Sequence, residues 1–96
     1  MFRAMTPLYE QLVGLLALRL GRHRTGHALR RCARLVPHPM SELRRDDVER
    51  LIPALLGAAL LYRVDGASRR AMRQELEALA VDGDERTAEG ASHGHA

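Results

Sequence analysis

A chain of 96 residues with one cysteine, no tryptophan, one phenylalanine and two tyrosines excludes a disulfide framework and an aromatic-rich β-sandwich. It is one domain at most, with a core that must come from Leu, Ala, Val and Met, the composition of a helical bundle. The formal net charge is +3 and all fifteen basic residues are arginine, so a GC-rich genome accounts for much of the basicity; residues 1–41 carry seven arginines against one acid, and residues 42–96 eight against eleven.

Thr6-Pro7 is a helix start, with Thr as N-cap, Pro at the first helical position and Glu10 near the positive end of the dipole. The first helix is expected over 7–20, with Leu8, Leu12, Leu15, Leu16 and Arg19 on one side, ending at Gly21. Gly26 is a poor interior residue, so Arg22–Gly26 reads as a connector or a weakly helical elbow. A second helix is expected over 25–36, with Leu29, Cys32, Ala33 and Val36 inward and Arg30, Arg31 and Arg34 outward, stopped by Pro37-His38-Pro39.

The stretch 46–64, DDVERLIPALLGAALLYRV, is the most apolar of the chain and carries no charge between Leu51 and Tyr62. Asp46 and Glu49 are spaced as a capping box, and Pro53 predicts a kink. Val48, Leu51, Ile52, Leu55, Leu56, Ala59 and Tyr62 form one broad stripe, and an apolar opposite side points to burial on more than one side. After the Asp65-Gly66 turn, a fourth helix over 67–81 turns Met72, Leu76, Leu79 and Ala80 inward and leaves Arg69, Arg70, Arg73, Glu75 and Glu77 solvated. Residues 82–96 have no periodic apolar residue and read as a disordered tail. The expected fold is all-α: a small four-helix bundle over 1–81.

His23, His27, Cys32 and His38 are all potential zinc donors, but Cys32 lies on a core stripe and no Cys-x-x-Cys pair supports a site. Arg22-x4-His27 resembles the minimal pattern of certain all-helical ribonucleases, a pattern that a chain with this many Arg and His matches by chance. An EF-hand loop begun at Asp82 puts Thr87 where Gly is required and His93 where the bidentate Glu belongs. No catalytic constellation, metal or cofactor is expected.

Two surfaces remain. Arg22, Arg24, Arg30, Arg31 and Arg34 lie in an acid-free run that could meet an anionic partner, nucleic acid included, although no aromatic is interleaved for base stacking. Ala54, Gly57 and Leu61, on the side of the third helix away from its main stripe, are small or apolar and suit a close helix contact. The expectation is a non-enzymatic helical adaptor or regulatory subunit working through protein contacts, as a homodimer or obligate heteromer that buries Ala54, Gly57 and Leu61. The alternative is an Arg-dependent nucleic-acid binder. The apolar runs at 12–18 and 51–62 are shorter than the roughly 20 residues of a membrane span, and the N-terminus has no cleavage pattern, so the expected setting is the cytoplasm.

Overall fold

The computed structural model describes residues 6–83 and contains four α-helices, α1 (Pro7–Leu20), α2 (Arg22–Cys32), α3 (Arg45–Leu61) and α4 (Gly66–Asp82), with a single 3-10 turn at Met40–Glu42 and no strand among the described residues. α1 begins as its sequence dictates: the Thr6 hydroxyl accepts from the Tyr9 amide at 3.2 Å. The same hydroxyl donates to the Leu43 carbonyl at 3.2 Å, and the Thr6 amide donates to the Ser41 carbonyl at 3.0 Å. One residue therefore caps the helix and ties it to the segment between α2 and α3.

Gly21 takes φ +89°, a conformation that costs other residues a steric penalty, and it alone separates α1 from α2. Of the two expectations for 22–26, a connector or a weakly helical elbow, the structure has the helical one and goes further: the segment is the first turn and a half of α2. The amide and hydroxyl of Thr25 both donate to the Gly21 carbonyl, at 3.0 and 2.8 Å. Thr25, buried, and Ala28 give this part of the helix an inward side, which outweighs the cost of about 1 kcal/mol for an interior glycine such as Gly26. The inward stripe is thus Thr25, Ala28 and Cys32, with Leu29 half-buried and Ala33 exposed rather than inward. α2 also stops at Cys32, four residues short of the expected end. Turn bonds from Arg34 to Arg31 and from Leu35 to Cys32 replace the helical ladder there, and they carry Val36 into the core from a non-helical position.

α3 starts at Arg45, and its first turn is held by Asp47 rather than by the Asp46–Glu49 pair: the Asp47 carboxylate accepts from the Arg44 amide at 2.9 Å. Pro53 sits inside α3 without ending it. The helix closes with Arg63 at φ +63° while the Val64 amide donates back to the Ala59 carbonyl at 2.9 Å, a Schellman-type end with Arg in the position glycine usually fills. Asp65 caps α4 by accepting from the Ser68 amide at 3.0 Å.

Leu8, Leu12, Leu16 and Leu20 recur every four residues along α1 and meet Val48, Leu51 and Leu55 of α3, and Met72 and Leu76 of α4, in one core completed by Leu43. α3 and α4 form the most extensive helix pair; α1 packs on α2 and α4, and α2 meets α3 over a shorter stretch. Arg19 is not on the inward stripe; it reaches across to Glu75 of α4 in a two-pronged ion pair at 3.0 and 2.7 Å. The domain extends past the expected boundary at 81, because Asp82 is helical and Gly83 is packed against Leu8. The rest of the expected tail, from 84 onward, lies outside the described residues.

A candidate docking face on α3

α3 is apolar around most of its circumference but is covered on one side only. Val48, Leu51, Leu55, Ala58 and Ala59 are buried, whereas Pro53, Ala54, Gly57, Leu60 and Leu61 are exposed. Burial on more than one side was expected, and the packing explains its absence. α1 is spent on α2 and α4, so no helix is left to lie over the outer arc of α3. Leu60 and Leu61 expose 60% and 64% of their surface, unusual values for consecutive leucines in the charge-free half of α3. A side chain built on Gly57 would meet nothing within 4 Å.

Gly57 stands between two grooves. The α2/α3 groove is lined by Ala28, Cys32, Leu35, Ala54 and Ala58, with Arg31 and Arg34 on its border. The α3/α4 groove is lined by Leu56, Leu60 and Gly66, bordered by Arg69, Arg70 and Arg73 and by one carboxylate, Glu77. Arg31, Arg34, Arg70 and Arg73 make no ion pair among the described residues. The face is therefore a recessed apolar strip with an arginine row on either side. Ala54, Gly57 and Leu61 were expected here and are all exposed; Leu35, Leu60 and the α4 arginines were not part of that expectation.

The arginines of α2 and of the turn after it do not act as one surface. Arg22, Arg24, Arg30, Arg31 and Arg34 are all exposed, but Arg24 turns to α3, donating to the Tyr62 carbonyl at 3.3 Å with its guanidinium 5.2 Å from the Tyr62 ring centre. Arg30, Arg31 and Arg34 share a shallow cleft with His27 and Tyr62, which Arg22 does not line. The Arg30 guanidinium lies 3.2 Å from His27 Nδ1. The aromatic missing from the local sequence is thus supplied by Tyr62, which lies 28 positions beyond Arg34 and at the far end of another helix.

The four potential zinc donors are dispersed. His23 and His27 meet ring to ring, 5.2 Å between centres, while Cys32 is in the core, where burial pushes its thiol up to about 11. His38 pairs with Asp47 through Nε2 at 2.7 Å and with the Pro39 carbonyl through Nδ1 at 3.0 Å. Among the described residues no three His, Cys, Asp or Glu side chains come together as a metal site. Nor is any described helix long and apolar enough to cross a membrane. The fold and the α3 face place the chain among small all-α bundles with an uncovered helix. No protein-family model, curated protein or solved structure matches it.

Proposed function

We propose that this protein is a small helical adaptor or regulatory subunit that works by docking another protein on the outer arc of α3, without chemistry of its own. The observation that supports this reading is the pair Leu60–Leu61, exposed beside the recessed positions Ala54 and Gly57 on a helix whose other side is fully committed to the core. Apolar surface in this arrangement lowers its free energy by accepting a second helix, and small residues at the centre let the two backbones approach.

Leu61→Arg tests it. The side chain is exposed, so the helical circular dichroism of the variant should match the wild type, while a protein captured by the wild-type chain from its native extract should be lost. Partners retained equally by Leu61→Arg would refute the assignment of the face.

A second reading rests on the cleft of His27, Arg30, Arg31, Arg34 and Tyr62, where four nitrogen-bearing side chains lie beside an aromatic ring. That combination suits a single-stranded nucleic acid, with arginines on phosphates and the ring stacking a base. Binding of an oligonucleotide that falls steeply with salt and is abolished by Arg30→Glu with Arg34→Glu supports it; no binding at low salt removes it.

A further inference from the structure

We infer that the occupant of the α3 face is an amphipathic helix of a different protein, apolar along its centre and acidic on both flanks. The inference rests on the docking reading above and goes on to choose between a second copy of this chain and a foreign partner. Charge decides that choice. The strip through Ala54, Gly57 and Leu60 is bordered by Arg31 and Arg34 on the α2 side and by Arg69, Arg70 and Arg73 on the α4 side, with Glu77 the one carboxylate lining either groove among the described residues.

A symmetric dimer puts the same face against itself, so each border meets a border of the other copy. Both borders are arginine rows here, and whichever way the two-fold axis is turned, arginine lies opposite arginine. The acids of α3 itself, Asp46, Asp47 and Glu49, belong to its N-terminal turns, before the apolar stretch begins at Leu51, and Asp47 is taken up by His38 and the Arg44 amide. Like charges held together across an interface suppress association, whereas a partner with acids on both flanks finds a cation opposite each one.

The shape selects a helix over a flat surface. Gly57 and Ala54 are the least protruding residues of the strip, and a groove runs along each side of them, so the complement is a convex rod. A lipid surface would take up the exposed Leu60 and Leu61 but leave the recessed Ala54 and Gly57 and the grooves beside them unfilled, and a nucleic acid gives exposed leucines nothing to bury. An acidic helix with Leu or Ala at i, i+3, i+4 and i+7 fills the grooves with its apolar side chains and sets its carboxylates over the rows.

The test uses the full chain and three synthetic peptides of about 18 residues, long enough to be helical alone. They share a Leu/Ala stripe and differ in carrying Glu, Gln or Lys on the flanks. Fluorescence anisotropy is expected to rank them Glu, then Gln, then Lys, with Glu over Gln by roughly tenfold at low salt and little difference near 1 M, where screening acts within ~3 Å. Reversing Arg31, Arg34, Arg70 and Arg73 together to Glu should invert the ranking. Gly57→Gln, which fills open space and improves helix propensity, should weaken every peptide without loss of circular dichroism.

Equal binding of the Glu and Lys peptides, or no gain of Glu over Gln, overturns the inference. Light scattering that finds a dimer which Gly57→Gln dissolves makes a second copy the occupant, and the inference falls while the docking reading stands. Anionic vesicles or a single-stranded oligonucleotide binding tighter than the Glu peptide, with Gly57→Gln without effect, would sink both.

Discussion

Asp47→Ala should be among the most damaging single changes at the polar end of the bundle, and its cost can be assembled from the contacts it breaks. The carboxylate is 6% exposed and accepts two hydrogen bonds on Oδ2, from the Arg44 amide at 2.9 Å and from His38 Nε2 at 2.7 Å. Arg50, 3.8 Å away and 62% exposed, adds little. The bond to the Arg44 amide is a helix-start contact worth about 1 kcal/mol. The His38 bond is charge-assisted when the ring is protonated, and its surroundings favour that form: Nδ1 faces the Pro39 carbonyl and Nε2 faces a carboxylate, both acceptors, which raises the His38 pKa. Such a bond contributes about 1.5–3 kcal/mol. Together the loss is about 2–4 kcal/mol, a large share of the stability of a domain this size, and at 4–8 °C per kcal/mol the melting temperature falls by roughly 10–30 °C.

Asp46→Ala is the control. Asp46 is exposed and touches only the dipole of the helix start, worth about 0.3–1 kcal/mol. The two variants should also differ in pH dependence. The Pro39 carbonyl first, and then Asp47, hold the His38 pKa above its ordinary value, against burial and the nearby Arg44. A raised folded-state pKa contributes stability that is full below the unfolded value, about 6.5, and disappears as the pH rises through the folded one. The gap between wild type and Asp47→Ala should therefore be widest in mildly acidic buffer and shrink above neutrality, where the helix-start contact and the weaker bond from a neutral Nε2–H remain. Thermal melts followed by circular dichroism across that range decide it. If Asp46→Ala costs as much as Asp47→Ala, or the gap widens with rising pH, the assignment of the helix start and of the imidazolium is wrong.

Gly83→Ala tests whether the packed domain reaches Gly83. Its φ of −62° suits any residue, so without neighbours the change would stabilise by about 0.4–1 kcal/mol. A methyl there would instead lie far inside contact distance of Leu8 Cδ1 and 2.5 Å from the Leu79 carbonyl oxygen, and overpacking of about 1–3 kcal/mol should lower the melting temperature; a rise refutes the packing of Gly83. Cys32, 2% exposed with its thiol pushed up to about 11 by burial, should react with a thiol reagent at pH 8 only as fast as the domain opens, and immediate labelling would show that the floor of the α2/α3 groove is open to solvent.

How much of this was legible in the sequence follows from where each signal is stored. α1 was read with both ends correct because Thr6, Pro7 and Gly21 are local signals whose geometry needs no partner. α2 was misplaced because Gly26 and Pro37 are also local signals, and here tertiary contacts through Thr25 and Ala28 overrode the first while turn bonds ended the helix before the second was reached. The start of α3 was assigned to the wrong carboxylate for a similar reason. Asp46 and Glu49 have the familiar spacing, but Asp47 is held by His38, which arrives from the preceding segment. Hydrophobic periodicity established that α3 could be buried on two sides, and only the count of available helices decided that it is not.

The arginine rows are the clearest case of information that no single helix contains. Read along α4, Arg69, Arg70 and Arg73 are an ordinary solvated surface, and since the whole chain uses Arg and no Lys, their being Arg says nothing by itself. What is informative is their position. Helix α4 lies beside α3 so that these three border one groove, while Arg31 and Arg34 border the other, and among the described residues neither group is neutralised across the apolar strip between them. Arg19, equally basic and similarly placed in the sequence run, has a carboxylate waiting for it at Glu75, and each holds the other in its charged form. Two arginine environments thus sit on one small bundle: one paired between helices, where it ties α1 to α4, and one set along the uncovered arc of α3 without an ion pair among the described residues, which is the asymmetry on which the proposed acidic partner rests.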